Sequence, residues 1–198
     1  MSMMSTCRFV YKILFRLKHI PIKLWNYDIG AYTRISRKYI SISRKGVHIG
    51  ERCTILPGLR LVTIGTYAGE KFQPQIWIED NVCINQNFHC TCASSIKIGE
   101  GTSITANCGV FDIIHPYQDV SINPRIAKIL TKPVEIGKNC LIGMNSVVMP
   151  GVKLGNHVIV GANSTITEGV YGDNIVLVGS PARVVKRYNE TNGEWEKC

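Results

Sequence analysis

The stretch from Ile136 to Ile166, IGKNCLIGMNSVVMPGVKLGNHVIVGANSTI, repeats itself every six residues. An aliphatic residue starts each repeat and, after a lapse at Gly172, the spacing returns near the C-terminus: Ile136, Ile142, Val148, Leu154, Val160, Ile166, Val178 and Val184. A small or β-branched residue lies four positions after each start: Cys140, Ser146, Val152, Val158, Ser164, Val170, Val176 and Ala182. This period fits neither an α-helical turn of about 3.6 residues nor the alternation of a half-buried strand.

A period of six predicts a short strand followed by a turn. Three such units close one triangular coil of about eighteen residues, and stacked coils form three parallel sheets along the axis. The aliphatic residue points into the narrow interior, the small residue fills a cramped inner corner, and glycine takes the strained turn. We therefore predict an all-β fold, a left-handed parallel β-helix of hexapeptide repeats.

The same repeat extends upstream with two interruptions. Its inward positions there are Ile49, Ile55, Leu61, Ile78, Ile84, Cys90 and Ile96, followed by a restart at Ile98, Ile104 and Val110. The stretch from Val62 to Gln75 breaks it first, and the stretch between His115 and Val134 breaks it again. The second break contains Pro116, Pro124 and Pro133 and predicts an extruded loop over residues 116–134, which at that length is usually functional. The expected β-helix domain covers residues 29–184, followed by a C-terminal tail over residues 185–198.

The N-terminal segment, residues 1–28, is basic and amphipathic. Up to His48 there are ten Lys or Arg residues and one acid, Asp28, and the remainder of the chain has thirteen of each sign. Apolar residues recur at steps of three and four between basic ones, which predicts an amphipathic helix. The run is too short and too charged to span a bilayer or to act as a signal peptide. Two interpretations stay open: the helix packs on its own domain, or it contacts an anionic membrane surface.

Cysteine usage points to a reducing compartment. The eight cysteines are scattered, and most occupy apolar or small-residue positions of the repeat, where Cys acts as a small hydrophobe. Without an export signal, reduced thiols in the cytoplasm are the simpler interpretation. His89, Cys90 and Cys92 lack a second ligand pair at zinc spacing, so no metal is expected.

Four segments resemble a known family. They are the Ile98-Gly99-Glu100-Gly101 turn through Asp112-Ile113-Ile114-His115-Pro116, the Ile142-Gly143 turn, Val148-Met149-Pro150-Gly151-Val152, and Val178-Gly179-Ser180-Pro181-Ala182-Arg183. Through them the chain, from about Ile49 to Tyr188, resembles the hexapeptide-repeat acyltransferases. The resemblance is to the branch containing galactoside, maltose and nodulation-factor acetyltransferases and the polysaccharide O-acetyltransferases.

The resemblance implies a homotrimer that binds acetyl-CoA in a groove between subunits, with His115 as general base. A sugar hydroxyl is a weak nucleophile, and imidazole is the unperturbed base suited to removing its proton near neutral pH. The family stabilises the resulting oxyanion with a backbone amide around Gly143. Asn85 matches an acceptor-binding position of the galactoside branch, and Asp112 is a candidate to orient the imidazole or bind the acceptor.

The resemblance also implies a set of positions that bind acetyl-CoA. Met144, Ala162 and Thr167 match positions that line the donor, together with Gly143. Arg183 and Lys186 match basic residues near the CoA phosphates, a role that both side chains suit. Two residues depart from the sugar-specific members: Leu141 replaces an aromatic residue and Glu168 replaces a basic one.

We therefore expect a cytoplasmic O-acetyltransferase, at the inner face of the membrane, that acts on a lipopolysaccharide, capsule or exopolysaccharide intermediate and binds no nucleic acid. A γ-type carbonic anhydrase is disfavoured because no close histidine pair accompanies His89 and His115. Serine acetyltransferases carry a long helical N-terminal domain that this chain lacks. A non-catalytic β-helix scaffold stays an alternative, which an absence of CoA binding would favour.

Overall fold

The computed structural model describes residues 3–198, with side chains from Phe9 onward. Met1, Ser2 and the side chains of residues 3–8, among them Cys7 and Arg8 of the predicted helix, lie outside the described part. The chain begins with one α-helix, α1 (Met3–His19), and a 3₁₀ helix (Ile22–Leu24). The remainder is built of short strands.

The first thirteen strands are β1 (Asp28–Ile29), β2 (Arg34–Ile35), β3 (Ser41–Ile42), β4 (Val47–Ile49), β5 (Thr54–Ile55), β6 (Arg60–Thr63), β7 (Thr66–Tyr67), β8 (Glu70–Lys71), β9 (Gln75–Ile78), β10 (Cys83–Ile84), β11 (His89–Cys92), β12 (Ser95–Ile98) and β13 (Ser103–Ile104). The others are β14 (Gly109–Phe111), β15 (Ile113–Ile114), β16 (Leu130–Thr131), β17 (Val134–Ile136), β18 (Leu141–Ile142), β19 (Val147–Val148), β20 (Val152–Leu154), β21 (Ile159–Val160), β22 (Thr165–Ile166), β23 (Gly169–Tyr171), β24 (Ile175–Gly179), β25 (Ala182–Asn189) and β26 (Glu194–Lys197).

Three sheets run along one axis. The first has the order β1-β4-β9-β12-β17-β20-β23, the second β2-β5-β10-β13-β18-β21-β24-β25-β26, and the third β3-β6-β11-β14-β19-β22. Ile136 pairs with Leu154, Ile142 with Val160 and Val148 with Ile166, so each of these coils takes eighteen residues. The hexapeptide prediction of a parallel β-helix is confirmed.

The coils turn at three corners, which position the site. The first corner joins the first sheet to the second. The second corner joins the second sheet to the third and contains residues 85–88, 105–108, 143–146 and 161–164. The third corner joins the third sheet back to the first and contains residues 93–94, 112–133, 149–151 and 167–168.

Inward aliphatic side chains form a continuous core. The predicted inward residues from Ile49 to Ile166 are all buried, including Cys90, which is 0% exposed between Leu61 and Val110. Burying one such aliphatic side chain stabilises the fold by about 1.5–3 kcal/mol. This core therefore drives the coiling.

The small inner-corner residues donate hydrogen bonds between coils. Thr102 Oγ1 donates to Gly137 O at 2.8 Å, and Ser146 Oγ donates to Gly161 O at 3.1 Å. Cys53, Cys108 and Cys140 occupy the same kind of position, and their thiols lie 3.1–3.2 Å from carbonyl oxygens of the next coil. These cysteines therefore act both as small core residues and as donors.

Both interruptions of the repeat are antiparallel excursions. β7 and β8 form a hairpin, and β15 and β16 pair at the base of the second excursion. Residues 115–129 lie outside the coil between β15 and β16, and the chain rejoins the coil earlier than the predicted end of the loop at residue 134. Val134 is buried and opens β17, because it pairs with Ile96 in the first sheet.

The predicted register near the C-terminus is wrong by one residue. The turn at residues 167–168 is shorter than the turn at residues 149–151, so Leu154 pairs with Tyr171 and Val160 with Leu177. A slip of one residue exchanges the faces of a strand. Leu177 is therefore 0% exposed, while Val178 is 37% exposed. The same slip leaves Val170 outside and replaces Val176 with buried Ile175.

The C-terminal residues form two antiparallel strands rather than a plain tail. β25 folds back on β24, and β26 folds back on β25, so the second sheet continues past the predicted boundary at residue 184. Val184 is half-buried against the core, but it lies on this antiparallel strand opposite Leu177 and does not continue the coil.

The N-terminal helix packs on the open end of the first coil with one face. Arg16 donates to the carbonyl oxygens of Ile29 at 3.0 Å and Trp25 at 2.7 Å. Phe15 packs against Tyr32 with a ring-centroid distance of 5.5 Å. The predicted amphipathic helix is thus present. The face that contains Phe15 and Arg16 packs on the domain, which is one of the two interpretations left open by the sequence.

Candidate active site

His115 lies at the third corner, where the chain leaves β15 and enters the extruded loop. Its Nδ1 is 3.2 Å from the carbonyl oxygen of Pro124, on the other side of the loop. A carbonyl can only accept, so Nδ1 carries the proton and Nε2 of the neutral ring keeps its lone pair. The side chain is exposed. The loop therefore holds one tautomer, with the basic nitrogen available to a ligand.

The β7–β8 hairpin forms a second wall beside the imidazole. The Tyr67 ring meets the His115 ring edge-on at a centroid distance of 5.8 Å. Its Oη donates to the carbonyl oxygen of Arg125 in the extruded loop. Glu70 of the same hairpin pairs with Lys128 of the loop at 3.0 Å. The two excursions that interrupt the repeat therefore hold each other around His115.

Tyr67 was missed by sequence reasoning, which treated its stretch only as a break. The available signal was Gly69, a residue that suits a tight turn. In the structure Ala68 and Gly69 both have positive φ, 47° and 79°. Glu168, expected as an unfavourable replacement near the donor, pairs instead with Lys132 at 2.5 Å. That ion pair ties the base of the loop to a later coil.

The prediction that Asp112 binds the acceptor is wrong, because its side chain is 0% exposed. Oδ1 accepts the amide of Ala93 at 2.8 Å and Oδ2 accepts the amide of Ser94 at 2.7 Å. Its carbonyl oxygen accepts the amide of Lys132 at 2.8 Å. Asp112 therefore fastens the base of the extruded loop to the preceding coil.

Three predicted donor positions and the predicted acceptor residue lie together at the second corner. Gly143 and Ala162 occupy adjacent turns there, and Asn85 lies two turns before Gly143. Met144 follows Gly143 with 48% of its side chain exposed. A Cβ on Gly143 would come within 2.6 Å of Ala162 N, so the close stacking of these turns requires glycine. An asparagine ladder with bonds of 3.0–3.1 Å supports this corner along residues Asn87, Asn107, Asn145 and Asn163.

The backbone amides of this corner differ in whether they already donate a hydrogen bond. Gly143 N–H donates to Val160 O at 2.8 Å, so it is not free to stabilise an oxyanion. Among the described residues, the amides of Met144 and Ala162 have no acceptor. Of the backbone amides around Gly143, that of Met144 is therefore open while that of Gly143 is not.

Arg183 and Lys186 are exposed on β25, opposite the outward-facing Val178 and Val176 of β24. Because β24 ends at the second corner, Arg183 comes just after that corner and Lys186 lies farther along the strand. Neither side chain takes part in an ion pair formed by the described residues. Both cations are therefore available to bind anionic groups.

One subunit does not bring the whole predicted site together. Thr167 shares the third corner with His115, whereas Asn85, Met144 and Ala162 lie at the second corner, across the width of the third sheet. Thr167 is also two coils further along the axis, about 10 Å at the usual strand spacing. His115 and most of the predicted donor positions are thus at opposite edges of one face.

The described residues contain no group of three His, Cys, Asp or Glu side chains placed to hold a metal ion. Strand alternation puts His89 on the outside, while Cys90 and Cys92 point inward with 0% exposure. Burial, followed by the charge of Arg60, lowers the pKa of His89. Its Nε2 lies 3.0 Å from Thr91 Oγ1, as expected for a structural or contact role.

A parallel β-helix of stacked hexapeptide coils, interrupted by an extruded loop, places the chain in the class of hexapeptide-repeat β-helix proteins. Comparison with known proteins agrees. The family model described as bacterial transferase hexapeptide (six repeats) matches residues 133–168. WbbJ of Escherichia coli strain K12, assigned to lipopolysaccharide biosynthesis as an O-acetyl transferase, is 34% identical over 159 residues, covering 77% of each chain. The chain belongs to the hexapeptide-repeat acyltransferase family and is an acyltransferase.

Two solved structures share the fold. A mutant of AntD, an N-acyltransferase from Bacillus cereus, in complex with dTDP-4-amino-4,6-dideoxyglucose and coenzyme A, matches with a TM-score of 0.70 and 20% identity over 86% of this chain and 89% of that one. PerB from Caulobacter crescentus, in complex with CoA and GDP-perosamine, matches with a TM-score of 0.53 and 19% identity over 77% of this chain and 56% of that one. At these identities the likeness concerns the fold alone.

Proposed function

We propose that this protein is an acetyl-CoA-dependent O-acetyltransferase in which Nε2 of His115 removes the proton from a saccharide hydroxyl. The observation that carries the proposal is the contact between His115 Nδ1 and Pro124 O at 3.2 Å. This contact holds the ring in the tautomer that a base requires, and it does so at the base of an extruded loop. A general base of this kind typically contributes about 10²- to 10⁴-fold in rate.

The chemical step follows from that tautomer. Nε2 accepts the hydroxyl proton as the oxygen attacks the thioester carbonyl, and the imidazolium formed is stabilised by the carbonyl of Pro124. The C–S bond then breaks, and Nε2–H returns the proton to the departing thiolate. The products are an acetyl ester and the free thiol of CoA, so protons balance and the base is regenerated.

The second corner suits the acyl donor. The open amides of Met144 and Ala162 can donate to carbonyl groups, and Met144 N–H is the proposed oxyanion donor in place of Gly143. Arg183 and Lys186 offer charge to phosphates. Thr167 lines the donor from the third corner, and half-buried Asn85 binds the acceptor.

A homotrimer would complete the site. If three third sheets face a common axis, the second corner of one subunit meets the third corner of the next. The site of one chain would then combine His115 with Met144 and Ala162 of its neighbour. The loop has apolar side chains for such a contact, since Val120 is 97% and Ile126 is 63% exposed. Light scattering that shows a monomer at micromolar concentration would contradict this arrangement.

The proposed acceptor is an intermediate of a surface polysaccharide, such as lipopolysaccharide, capsule or exopolysaccharide, at the cytoplasmic face of the membrane. The lipopolysaccharide assignment of WbbJ supports this choice. AntD and PerB, which share the fold, were crystallised with CoA species and nucleotide sugars. In the described part of this chain, no helix is long and apolar enough to cross a bilayer.

The test is thiol release from acetyl-CoA with a panel of nucleotide sugars, oligosaccharides and lipid-linked glycans. On the acceptor so found, His115→Ala and His115→Asn should both lose about 10²- to 10⁴-fold in kcat, because an amide cannot take the proton. Affinity for acetyl-CoA should stay within about twofold of wild type.

The matched control is His157→Asn. His157 is an exposed first-corner residue with φ of 53°, a conformation that asparagine tolerates, and its loss should leave transfer unchanged. Retention of more than about a tenth of the activity by His115→Ala would overturn the base assignment.

A further inference from the structure

The N-terminal helix leaves an apolar stripe uncovered. Phe9, Val10, Ile13, Leu14 and Leu17 are between 38% and 64% exposed. At about 100° per residue these side chains cover one continuous arc of the helix. Tyr11 and Phe15, whose rings contact Tyr32 of the first coil, lie on the opposite side of the helix. The centre of the stripe therefore points away from the first coil.

The apolar surface continues beyond the helix. A groove of about 600 Å³ runs from Leu17 past Ile22 and Trp25 to Ile40 in the turn of the first coil. Ile22 is 81% exposed and Ile40 is 67% exposed. We call these residues, with the helix stripe, the end surface. A contiguous exposed apolar surface that extends from a helix into a neighbouring groove usually marks an interaction site.

Basic side chains surround the end surface without acidic partners. Lys18, Lys23, Arg37 and Lys38 are all exposed, and none of them joins an ion pair formed by the described residues. Asp28, the sole acid up to His48, is occupied by His48 Nδ1 at 2.5 Å. The surface therefore combines apolar side chains with uncompensated positive charge.

We propose that the end surface docks this protein onto an anionic lipid bilayer. A stripe of aliphatic and aromatic residues flanked by lysine and arginine matches the interfacial region of a membrane, where apolar side chains enter and cations meet phosphate headgroups. This deepens the cytoplasmic-face location proposed above and is independent of the role of His115.

Docking by this end orients the protein. The first coil lies at the bilayer and the axis points away from it, so three strand spacings of about 4.8 Å place the coil before His115 about 14 Å further out. A three-fold axis parallel to the coil axis would put three end surfaces on the same side. Binding by such a trimer gains from multivalency.

The experiment is flotation of the full chain with vesicles of phosphatidylcholine containing about 30% phosphatidylglycerol, an anionic lipid that attracts basic side chains. Vesicles of phosphatidylcholine alone are the comparison. Wild type should float with the anionic vesicles at low salt and dissociate at high salt. Leu14→Glu and Ile40→Glu should each reduce the fraction of protein bound to vesicles about tenfold or more. The double variant Lys23→Ala/Arg37→Ala should reduce binding to the anionic vesicles by a similar factor.

Matched controls lie at the far end of the molecule. Val170→Glu changes an equally exposed aliphatic residue (82% exposed), and Lys197→Ala removes an exposed charge; both should bind as wild type. His115→Ala should also bind the anionic vesicles as wild type does. Leu14→Glu should still release thiol from acetyl-CoA with a water-soluble acceptor. A failure of the docking proposal can therefore be distinguished from a failure of the catalytic proposal. Equal flotation of wild type, Leu14→Glu and Ile40→Glu, or no flotation of wild type at low salt, would overturn the docking surface.

Discussion

The phenol ring of Tyr67 lies edge-on to the imidazole of His115, with ring centroids 5.8 Å apart and an interplanar angle of 70°. Tyr67 belongs to the hairpin that interrupts the repeat first, and His115 opens the loop that interrupts it second. Because the Tyr67 hydroxyl also donates to Arg125 O, one side chain contacts both His115 and the loop whose Pro124 carbonyl lies 3.2 Å from its Nδ1.

Tyr67 is accordingly predicted to be a positioning residue. Tyr67→Phe removes one hydrogen bond of about 1 kcal/mol, so kcat should fall about fivefold with the Kd for acetyl-CoA unchanged. Tyr67→Ala also removes the edge-on contact that holds the His115 ring. The loss in kcat should then approach about hundredfold, as for misplacement of a catalytic group by about 1 Å. Steady-state kinetics with pH profiles measure this. Thr66→Ala, an exposed neighbour, is the control, and equal activity of both Tyr67 variants and wild type would contradict the prediction.

Arg183 is predicted to bind the donor rather than to take part in the proton transfer. Arg183→Ala should weaken acetyl-CoA binding about tenfold or more, since a charge-assisted hydrogen bond contributes about 1.5–3 kcal/mol. The pH dependence of kcat should not change. Isothermal titration calorimetry measures the affinity, with Arg187→Ala on the same strand as control. Equal losses in the two variants would show only a general charge effect.

Asp112 is predicted to act on stability. Asp112→Ala leaves the buried amide of Ala93 and the half-buried amide of Ser94 without acceptors. An unsatisfied buried donor costs about 1–3 kcal/mol. The melting temperature should fall by about 4–10 °C or more, while the acceptor KM of the folded protein stays close to wild type. Calorimetry and kinetics together check this. A raised acceptor KM with an unchanged melting temperature would restore the acceptor-binding role.

The buried thiols predict a loss of stability in alkali. Burial is the leading cause that raises the pKa of five cysteines: Cys53, Cys90, Cys92, Cys108 and Cys140. Above about pH 8.5 the unfolded chain releases these protons and the folded chain keeps them. The stabilisation is therefore complete below that pH and is lost as pH rises, which thermal melts between pH 7 and 10 would show.

The variant that tests this combines Cys53→Ser, Cys108→Ser and Cys140→Ser. A hydroxyl preserves the inter-coil donor that Thr102 and Ser146 already provide elsewhere, but it does not ionise in this range. Its melting temperature should depend less steeply on pH than that of wild type. Parallel curves for the two proteins would exclude the thiols as the cause.

The sequence by itself determined the coil and most of its core. The inward positions from Ile49 to Ile166 follow from a local rule, because each aliphatic residue repeats at a fixed spacing and each coil repeats the burial of the one before. His115 could be singled out because it stands where that rule stops and matches the histidine of the family that the chain resembles. The N-terminal amphipathic helix is likewise a local pattern of side chains.

The tertiary structure alone decided the features that join distant parts of the chain. A turn shortened by one residue moved Tyr171 and Leu177 inward, which no periodic count detects because the register depends on turn geometry. Asp112 is buried because the amides of an earlier coil reach its carboxyl group. The tautomer of His115 depends on Pro124, and its second wall depends on Tyr67. These contacts arise from the paths of two excursions through space, and the hydrophobic period contains no information about where such excursions meet.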